Sequence, residues 1–452
     1  MSRYDRQQRI DNWKQESIDE AKVAVIGASK LGTAMATVLA GLGIGNTRFY
    51  GTKEDRNKLM FCTQQAGVRG LEEMVKNVNN LVSTRSIRWR FTDANMAELI
   101  GQPDVIAHCS NDCFEKLVIA EYGMKNNIPV VSGASSKCAG ALSVLNKGKD
   151  SLPESYLLPD FHRVEQGYET SMVIAGLMAD EIRKEIMPLY KDEKPLDGII
   201  HYNMESLRRF SKNKDFQWQD YSKDKTIYMV GAGSTGCVVA LALGAVGIKR
   251  IVLFDDDTVE TANLNRQVLH WDAVGRKKVE SLAEKLQQMG VEAIPVDGRF
   301  SMDSEIAGLK PDLIMACTDS FRSRKIMDEY AKKYNVPLIS GGTAYDAGQV
   351  VSYIPGKTRC LDCIQNIKER AAEEEERERH SCIHVPEPSV IVSNWIIASL
   401  MVAEAGAIFN TDNMPINGKL AYDSKQPRRM GLVKNDEACK CHEAGKEEEC
   451  SM

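Results

Sequence analysis

The 452-residue chain has no excess of positive charge: 58 Lys and Arg against 63 Asp and Glu give a net charge of -5. That balance excludes a nucleic-acid binder driven by phosphate neutralisation, and no nucleic-acid partner is expected. No apolar leader opens the sequence, since MSRYDRQQRIDNW is polar and charged from the start. A long membrane-spanning run is missing as well. The longest apolar stretch, Trp395 to Phe409, carries Glu404 and is short for a bilayer, so it is expected to be a buried helix, with no membrane partner. The 12 cysteines lack the spacing of a secreted disulfide framework. A reducing cytoplasm is the expected setting, with cysteines serving as core residues, metal ligands or nucleophiles. The length suggests about three domains or two large ones, and 43% hydrophobic residues suffice for sizeable cores.

What is present is a repeat. KVAVIGASKLG at Lys22–Gly32 matches TIYMVGAGSTG at Thr226–Gly236, with Gly27 and Gly32 each 204 residues before Gly231 and Gly236. Further along, PDVIAHCS at Pro103–Ser110 matches PDLIMACT at Pro311–Thr318, and PVVSG at Pro129–Gly133 matches PLISG at Pro337–Gly341, both offset by 208. Three collinear matches imply tandem duplication. Each copy alternates strands with helices, so the fold class is α/β: two doubly wound Rossmann-like domains. The expected boundaries are 1–204, a polar connector at 205–224, and 225–452.

The second copy carries more chemistry. Gly231, Gly233 and Gly236 form G-x-G-x-x-G, a turn that brings backbone N–H groups to a phosphate at a helix N-terminus; alone it is a weak signal. The next strand ends in Asp255-Asp256-Asp257, where a carboxylate can hold ribose hydroxyls. Asn263, Arg266, Gln267 and Lys278 follow, placing cations where a triphosphate would need neutralising as pyrophosphate leaves. Asp319 ends another apolar strand, a natural position for a Mg²⁺ ligand. An NAD(P) oxidoreductase would explain the glycines but not Arg266, Lys278 and Asp319 together. A non-catalytic scaffold would leave the intact second copy unexplained.

The runs DDDTVETANLNRQVLH, GRKKVESLAEKL and CTDSFRSR resemble the ThiF/MoeB and ubiquitin-activating-enzyme superfamily over nearly the whole chain. The resemblance implies ATP-dependent adenylation of a C-terminal carboxylate. By it, Asp255 holds ribose and Asp257 lies beside the phosphates. Asn263, Arg266 and Lys278 contact the phosphates with support from Gln267, and Asp319 binds Mg²⁺ or positions the attacking carboxylate. At the same offsets the first copy has Gly51, Lys53, Leu59, Cys62 and Asn111 in place of Asp255, Asp257, Asn263, Arg266 and Asp319, and Ser29 replaces the middle glycine. A side chain there, followed by Lys30, should obstruct a phosphate, so the first copy is expected to be inactive. Arg3-Tyr4-Asp5-Arg6-Gln7 resembles the family's RYxRQ segment, which implies an intramolecular pseudo-dimer with Arg6 acting across the interface.

Cys360-Leu-Asp-Cys363 and Cys439-Lys-Cys441-His442 have spacings that suit a closed Zn²⁺ site. The family often carries a CxxC…CxxC clasp there. Here the second pair is CxC, so Cys360, Cys363, Cys439 and Cys441 are the expected ligands, with His442 the alternative to the last. A redox CxxC is disfavoured because no helix start is expected after it. Cys382, in CIHVPEP, resembles the family's thioester-forming cysteine and would sit in a crossover loop at 364–389, after a Glu/Arg-rich stretch at 368–380 expected to be an exposed, mobile stretch or a solvated helix. The implied activity is adenylation of a ubiquitin-like protein ending in diglycine, then thioester formation. The architecture is similar to compact ufmylation-type or archaeal and bacterial activating enzymes. The alternative is adenylation without a thioester, for a sulfur carrier or a peptide in natural-product biosynthesis. A conjugating enzyme would dock on the helix from Val390 to Glu404 or on the charged segment at 368–380.

Overall fold

The computed structural model describes residues 2–52, 56–92, 95–149, 151–153, 156, 161–211, 220–304, 306, 308–380, 387–410, 416–426, 429–434 and 439. Cys382, Cys441, His442 and Lys53 lie outside them.

Two sheets form the frame. The first contains β1 (Lys22–Ile26), β2 (Asn46–Tyr50), β3 (Ser83–Ile87), β4 (Val105–His108), β5 (Val130–Ser135), β6 (Ala139–Leu145) and β7 (Ile199–Asn203), in the order 3-2-1-4-5-6-7. The second contains β8 (Thr226–Val230), β9 (Arg250–Asp255), β10 (Glu292–Asp297), β11 (Leu313–Ala316), β12 (Leu338–Thr343), β13 (Ala347–Tyr353), β14 (Gly418–Asp423) and β15 (Met430–Lys434), in the order 10-9-8-11-12-13-14-15. The first seven strands of each sheet follow one topology, so the sequence repeat is a repeat of fold. In each, five parallel strands are extended by antiparallel ones. The parallel strands are apolar runs because helices cover both faces.

The halves pack through four helices: Lys30–Leu42 and Tyr168–Ile186 from the first, Ser234–Val246 and Ile391–Phe409 from the second. Nearly every residue in them is buried, and one apolar core runs through both halves. Small residues allow the close approach: a Cβ on Gly176 would lie 2.7 Å from Ile396 Cγ1, and one on Gly41 would lie 2.4 Å from Ile391 Cδ1. The Trp395 indole N–H donates to the Met172 carbonyl across the seam, at 2.9 Å.

Four sequence expectations change here. The apolar helix runs from Ile391 to Phe409; at 19 residues it is long and apolar enough to cross a membrane, yet it is buried between the sheets. Being buried, it cannot serve as a docking surface for a partner. Most of the expected crossover loop is helical, with Ile367–His380 packed along Phe321–Tyr334 and its polar face in solvent. A short helix, Leu361–Gln365, does begin directly after Cys360, so that ground for dismissing a redox CxxC fails.

The stretch expected to connect the halves is more than a tether. Arg209 is fully buried and forks onto Glu404, with Nε–Oε1 at 2.7 Å and Nη2–Oε2 at 3.1 Å. This pairing accounts for a charge in the middle of an apolar helix.

Candidate active site

The second sheet changes direction of winding between β8 and β11, and ligands in doubly wound folds bind at the C-terminal ends of strands beside such a point. The glycine turn leaves β8 there, Asp255 ends β9, and Asp319 follows β11. Gly231 has φ +102°, and a Cβ on it would lie 2.7 Å from the Cys317 carbonyl oxygen. Gly236 must also lack a side chain, because its Cβ would fall 2.0 Å from the Gly231 carbonyl oxygen. Gly233 differs: a Cβ there would find only Gln267 Nε2, at 3.8 Å. No side chain caps the helix Ser234–Val246 that it opens, leaving N-terminal amides available to an anion.

The Asp255 carboxylate accepts the Ala232 N–H at 2.7 Å and the Asp257 N–H at 2.9 Å. Burial pushes its pKa up, against the pull of Lys278 and these two donors. Each oxygen keeps a lone pair for a further donor. Lys278 is buried and its Nζ lies 2.6 Å from Asp257 Oδ2. Arg266 is buried too; its Nη1 donates to the Ala262 carbonyl and to Asn265 Oδ1, both at 2.8 Å. Burial, with a smaller push from neighbouring Arg6 and against the pull of Asp319, lowers its pKa to about 10. It stays cationic at neutral pH. Asn263 spends its side-chain oxygen on the Glu260 N–H at 3.0 Å, closing a capping box. Gln267 is 3% exposed, and its Oε1 has no partner among the described residues.

The N-terminal segment of the first half reaches the residues around Arg266. Arg3 donates to the Leu264 carbonyl at 2.8 Å, Asn265 Nδ2 donates to Gln7 Oε1 at 3.1 Å, and Arg6 Nη1 reaches the Glu387 carbonyl at 3.3 Å. The Ser389 N–H donates to the Arg6 carbonyl at 3.1 Å. Arg6 and Arg266 thus stand together although 260 residues separate them in sequence.

The corresponding turn in the first half has the same backbone, with Gly27 at φ +106°, but its donors are taken. Ser29 caps the helix Lys30–Leu42 by accepting the Gly32 N–H at 3.3 Å, and its hydroxyl donates to the Cys109 carbonyl at 2.7 Å. Gln166 Oε1 accepts the Leu31 N–H at 2.9 Å. Lys30 turns aside to Glu165 at 3.1 Å and to the Gln166 carbonyl at 2.7 Å. Asn111, in the place of Asp319, is spent on the Ser135 and Val164 carbonyls at 2.6 and 2.7 Å. Ser29 therefore fills the anion position by folding back onto the turn rather than by projecting from it.

Arg324 and His270 escaped the sequence reading. Arg324 is buried and braces the loop before Asp319 through the Thr318 and Gly341 carbonyls, at 2.7 and 2.6 Å. His270 ties the glycine turn to the helix Lys278–Gln288. Both act through partners distant in sequence, which no spacing rule singles out.

The sulfurs of Cys360, Cys363 and Cys439 lie within 4.8 Å of one another, with Cys439 and Cys363 3.6 Å apart. Zn–S bonds of about 2.3 Å would set tetrahedral ligands roughly 3.8 Å apart, so the three thiols fit zinc. Asp255, Asp256 and Asp257 form a second group of possible ligand atoms, suited to a hard cation.

The ThiF family model matches residues 63–215 and 203–442. A molybdopterin-synthase adenylyltransferase of Salmonella typhimurium is 31% identical over 247 residues, covering 52% of this chain and 94% of the relative. A ubiquitin-like modifier-activating enzyme 5 of Caenorhabditis briggsae is 27% identical over 260 residues, covering 52% and 59%. A crystal structure of E. coli MccB with ATP overlaps 49% of this chain and 66% of that chain at 22% identity, with a TM-score of 0.41. Two matched segments, one for each copy of the repeat, establish that this chain belongs to the ThiF family, in the superfamily of MoeB and the ubiquitin-activating enzymes.

Proposed function

We propose that the chain uses ATP to adenylate the C-terminal carboxylate of a small protein, at a single site in the second half. In this reading 1–204 is an inactive half, 205–224 the connector and 225–452 the adenylating unit. The carrying observation is the asymmetry between the copies. One glycine turn has no side-chain cap, and in the same half Arg266 has Arg6 of the opposite half beside it, while the other turn is capped by Ser29 and Gln166.

The chemistry follows from the charges. A substrate carboxylate oxygen attacks the α-phosphorus of ATP, forming the acyl-adenylate as the bond to pyrophosphate breaks. Arg6, Arg266 and Lys278 neutralise the departing pyrophosphate, worth about 10²–10³-fold in rate per well-placed donor. Asp255 holds ribose, Asp257 lies beside the phosphates, Asn263 and Gln267 support the phosphate shell, and Asp319 would hold Mg²⁺ or position the attacking carboxylate. Zn²⁺ on Cys360, Cys363, Cys439 and Cys441 would fasten the C-terminal segment to the core.

In the second step the Cys382 thiolate attacks the acyl carbon and AMP leaves, giving a thioester. Cys382 stands five residues before Glu387 in the sequence, and the Glu387 carbonyl accepts from Arg6. The proposed acceptor is a ubiquitin-like protein with a C-terminal diglycine. The exposed helix Ile367–His380 is the surface left for a conjugating partner. The molybdopterin-synthase adenylyltransferase relative favours a second reading, adenylation of a sulfur-carrier protein with no thioester.

The test is ATP–pyrophosphate exchange with a panel of diglycine-ended proteins, followed by non-reducing gels of wild type and Cys382→Ala. Exchange with a thiol-sensitive adduct lost in the variant supports the two-step reading. Exchange without an adduct leaves adenylation alone, and no exchange with any acceptor refutes both.

A further inference from the structure

A closed circuit of polar contacts surrounds the second half's turn. The Ala232 N–H donates to Asp255 at 2.7 Å, and Asp255 also accepts the Asp257 N–H at 2.9 Å. The Asp257 carboxylate pairs with Lys278 Nζ at 2.6 Å. Lys278 opens the helix Lys278–Gln288, and one turn along it Ser281 Oγ lies 2.9 Å from His270 Nδ1. His270 Nε2 lies 3.0 Å from the Ala232 carbonyl, which returns the path to its first peptide unit. A carbonyl can only accept, so Nε2 carries the proton, Nδ1 is bare, and the Ser281 hydroxyl donates to it. His270 is fully buried, and burial lowers its pKa to about 4, so this neutral tautomer persists at working pH.

The first half supplies an internal control. At the 204-residue offset, Ala232, Asp255 and Asp257 become Ala28, Gly51 and Lys53; no histidine lies between Gly51 and Gly67, and the helix Gly67–Val78 that takes the place of Lys278–Gln288 has no lysine at its start and no serine. Every side chain of the circuit is replaced. Yet the turn forms alike, with Gly27 at φ +106° against Gly231 at +102°. The closing backbone bonds also match, Gly27 N to Tyr50 O and Gly231 N to Phe254 O, both at 2.8 Å. The circuit is therefore not needed to build the turn.

The geometry points to His270 as a positioning residue for adenylation: it sets the distance between the turn that cradles the nucleotide and the helix that carries Lys278. This rests on the adenylation reading above. ATP is grasped by the turn and Asp255, whereas Lys278 matters most as charge develops on pyrophosphate. Loosening the link should thus affect the chemical step more than nucleotide binding.

The experiment measures ATP–pyrophosphate exchange for wild type, His270→Leu and His270→Gln in the full chain. Leucine removes both hydrogen bonds; glutamine can donate to Ala232 and accept from Ser281. The expected result is a fall in kcat of about 30–100-fold for leucine with KM for ATP changed less than about 3-fold, as misplacement by an ångström can cost 10²-fold. Glutamine should recover most of it. A kcat unchanged by leucine, a loss confined to KM, or a glutamine variant no better than leucine would overturn the assignment. If wild type catalyses no exchange, the adenylation reading fails on its own. Amide hydrogen exchange of residues 231–236 then decides: faster exchange in His270→Leu, restored in His270→Gln, keeps the coupling, and unchanged exchange removes it.

Discussion

Replacing Glu404 with leucine removes the bidentate carboxylate that the buried Arg209 guanidinium forks onto. Both side chains are fully buried, and the pair is bidentate at 2.7 and 3.1 Å. Breaking such a pair from one side costs about 3–5 kcal/mol, since the remaining charge cannot be rehydrated. That is a large part of the ~5–15 kcal/mol typical of a folded domain. Removing both charges is different: an apolar pair of similar volume is near neutral or stabilising. Arg209→Met with Glu404→Leu should therefore recover most of the loss. Urea unfolding followed by tryptophan fluorescence reads the effect, because Trp395 sits in the same helix and bonds across the seam at 2.9 Å. A single variant costing under about 1 kcal/mol, or a double variant no more stable than the single one, would refute the reasoning.

Three further outcomes follow. Gly233→Ser should fold normally, because Ser29 occupies the matching place in the first half and only Gln267 Nε2 approaches, at 3.8 Å. It should also cap its own helix and weaken ATP binding at least about 10-fold, measured by calorimetry. His270 has a folded-state pKa of about 4, below its ordinary 6.5. The unfolded chain takes up that proton first as pH falls, so stability drops between pH 6.5 and 4 by about 3 kcal/mol in total; His270→Gln should lack this component in acid unfolding curves. Bound zinc should be near one per chain by elemental analysis, and Cys439→Ala should lower both zinc content and melting temperature.

The duplication and the fold class were legible in the sequence, because repeated strand–turn–helix signals survive without knowledge of tertiary contacts; a cross-interface role was implied by family resemblance for Arg6 alone, and the contacts of Arg3 and Gln7 were not foreseen. What escaped depends on partners distant in sequence. Gln166 plugs the first turn from 135 residues away. His270 looks incidental until Ala232 and Ser281 are brought against it. Glu404 made the helix Ile391–Phe409 look shorter and less apolar than its packing requires, since its counter-charge lies in the connector. The Glu- and Arg-rich run 368–380 reads equally as loop or solvated helix, and packing beside Phe321 and Arg322 settles it as helix.

The central claim is that one half alone handles nucleotide. Titration calorimetry of the full chain with ATP and Mg²⁺ tests it most directly, using wild type and Asp255→Ala. One nucleotide per chain, lost in the variant, is the expected result. Two per chain, or one retained after Asp255→Ala, would contradict the account.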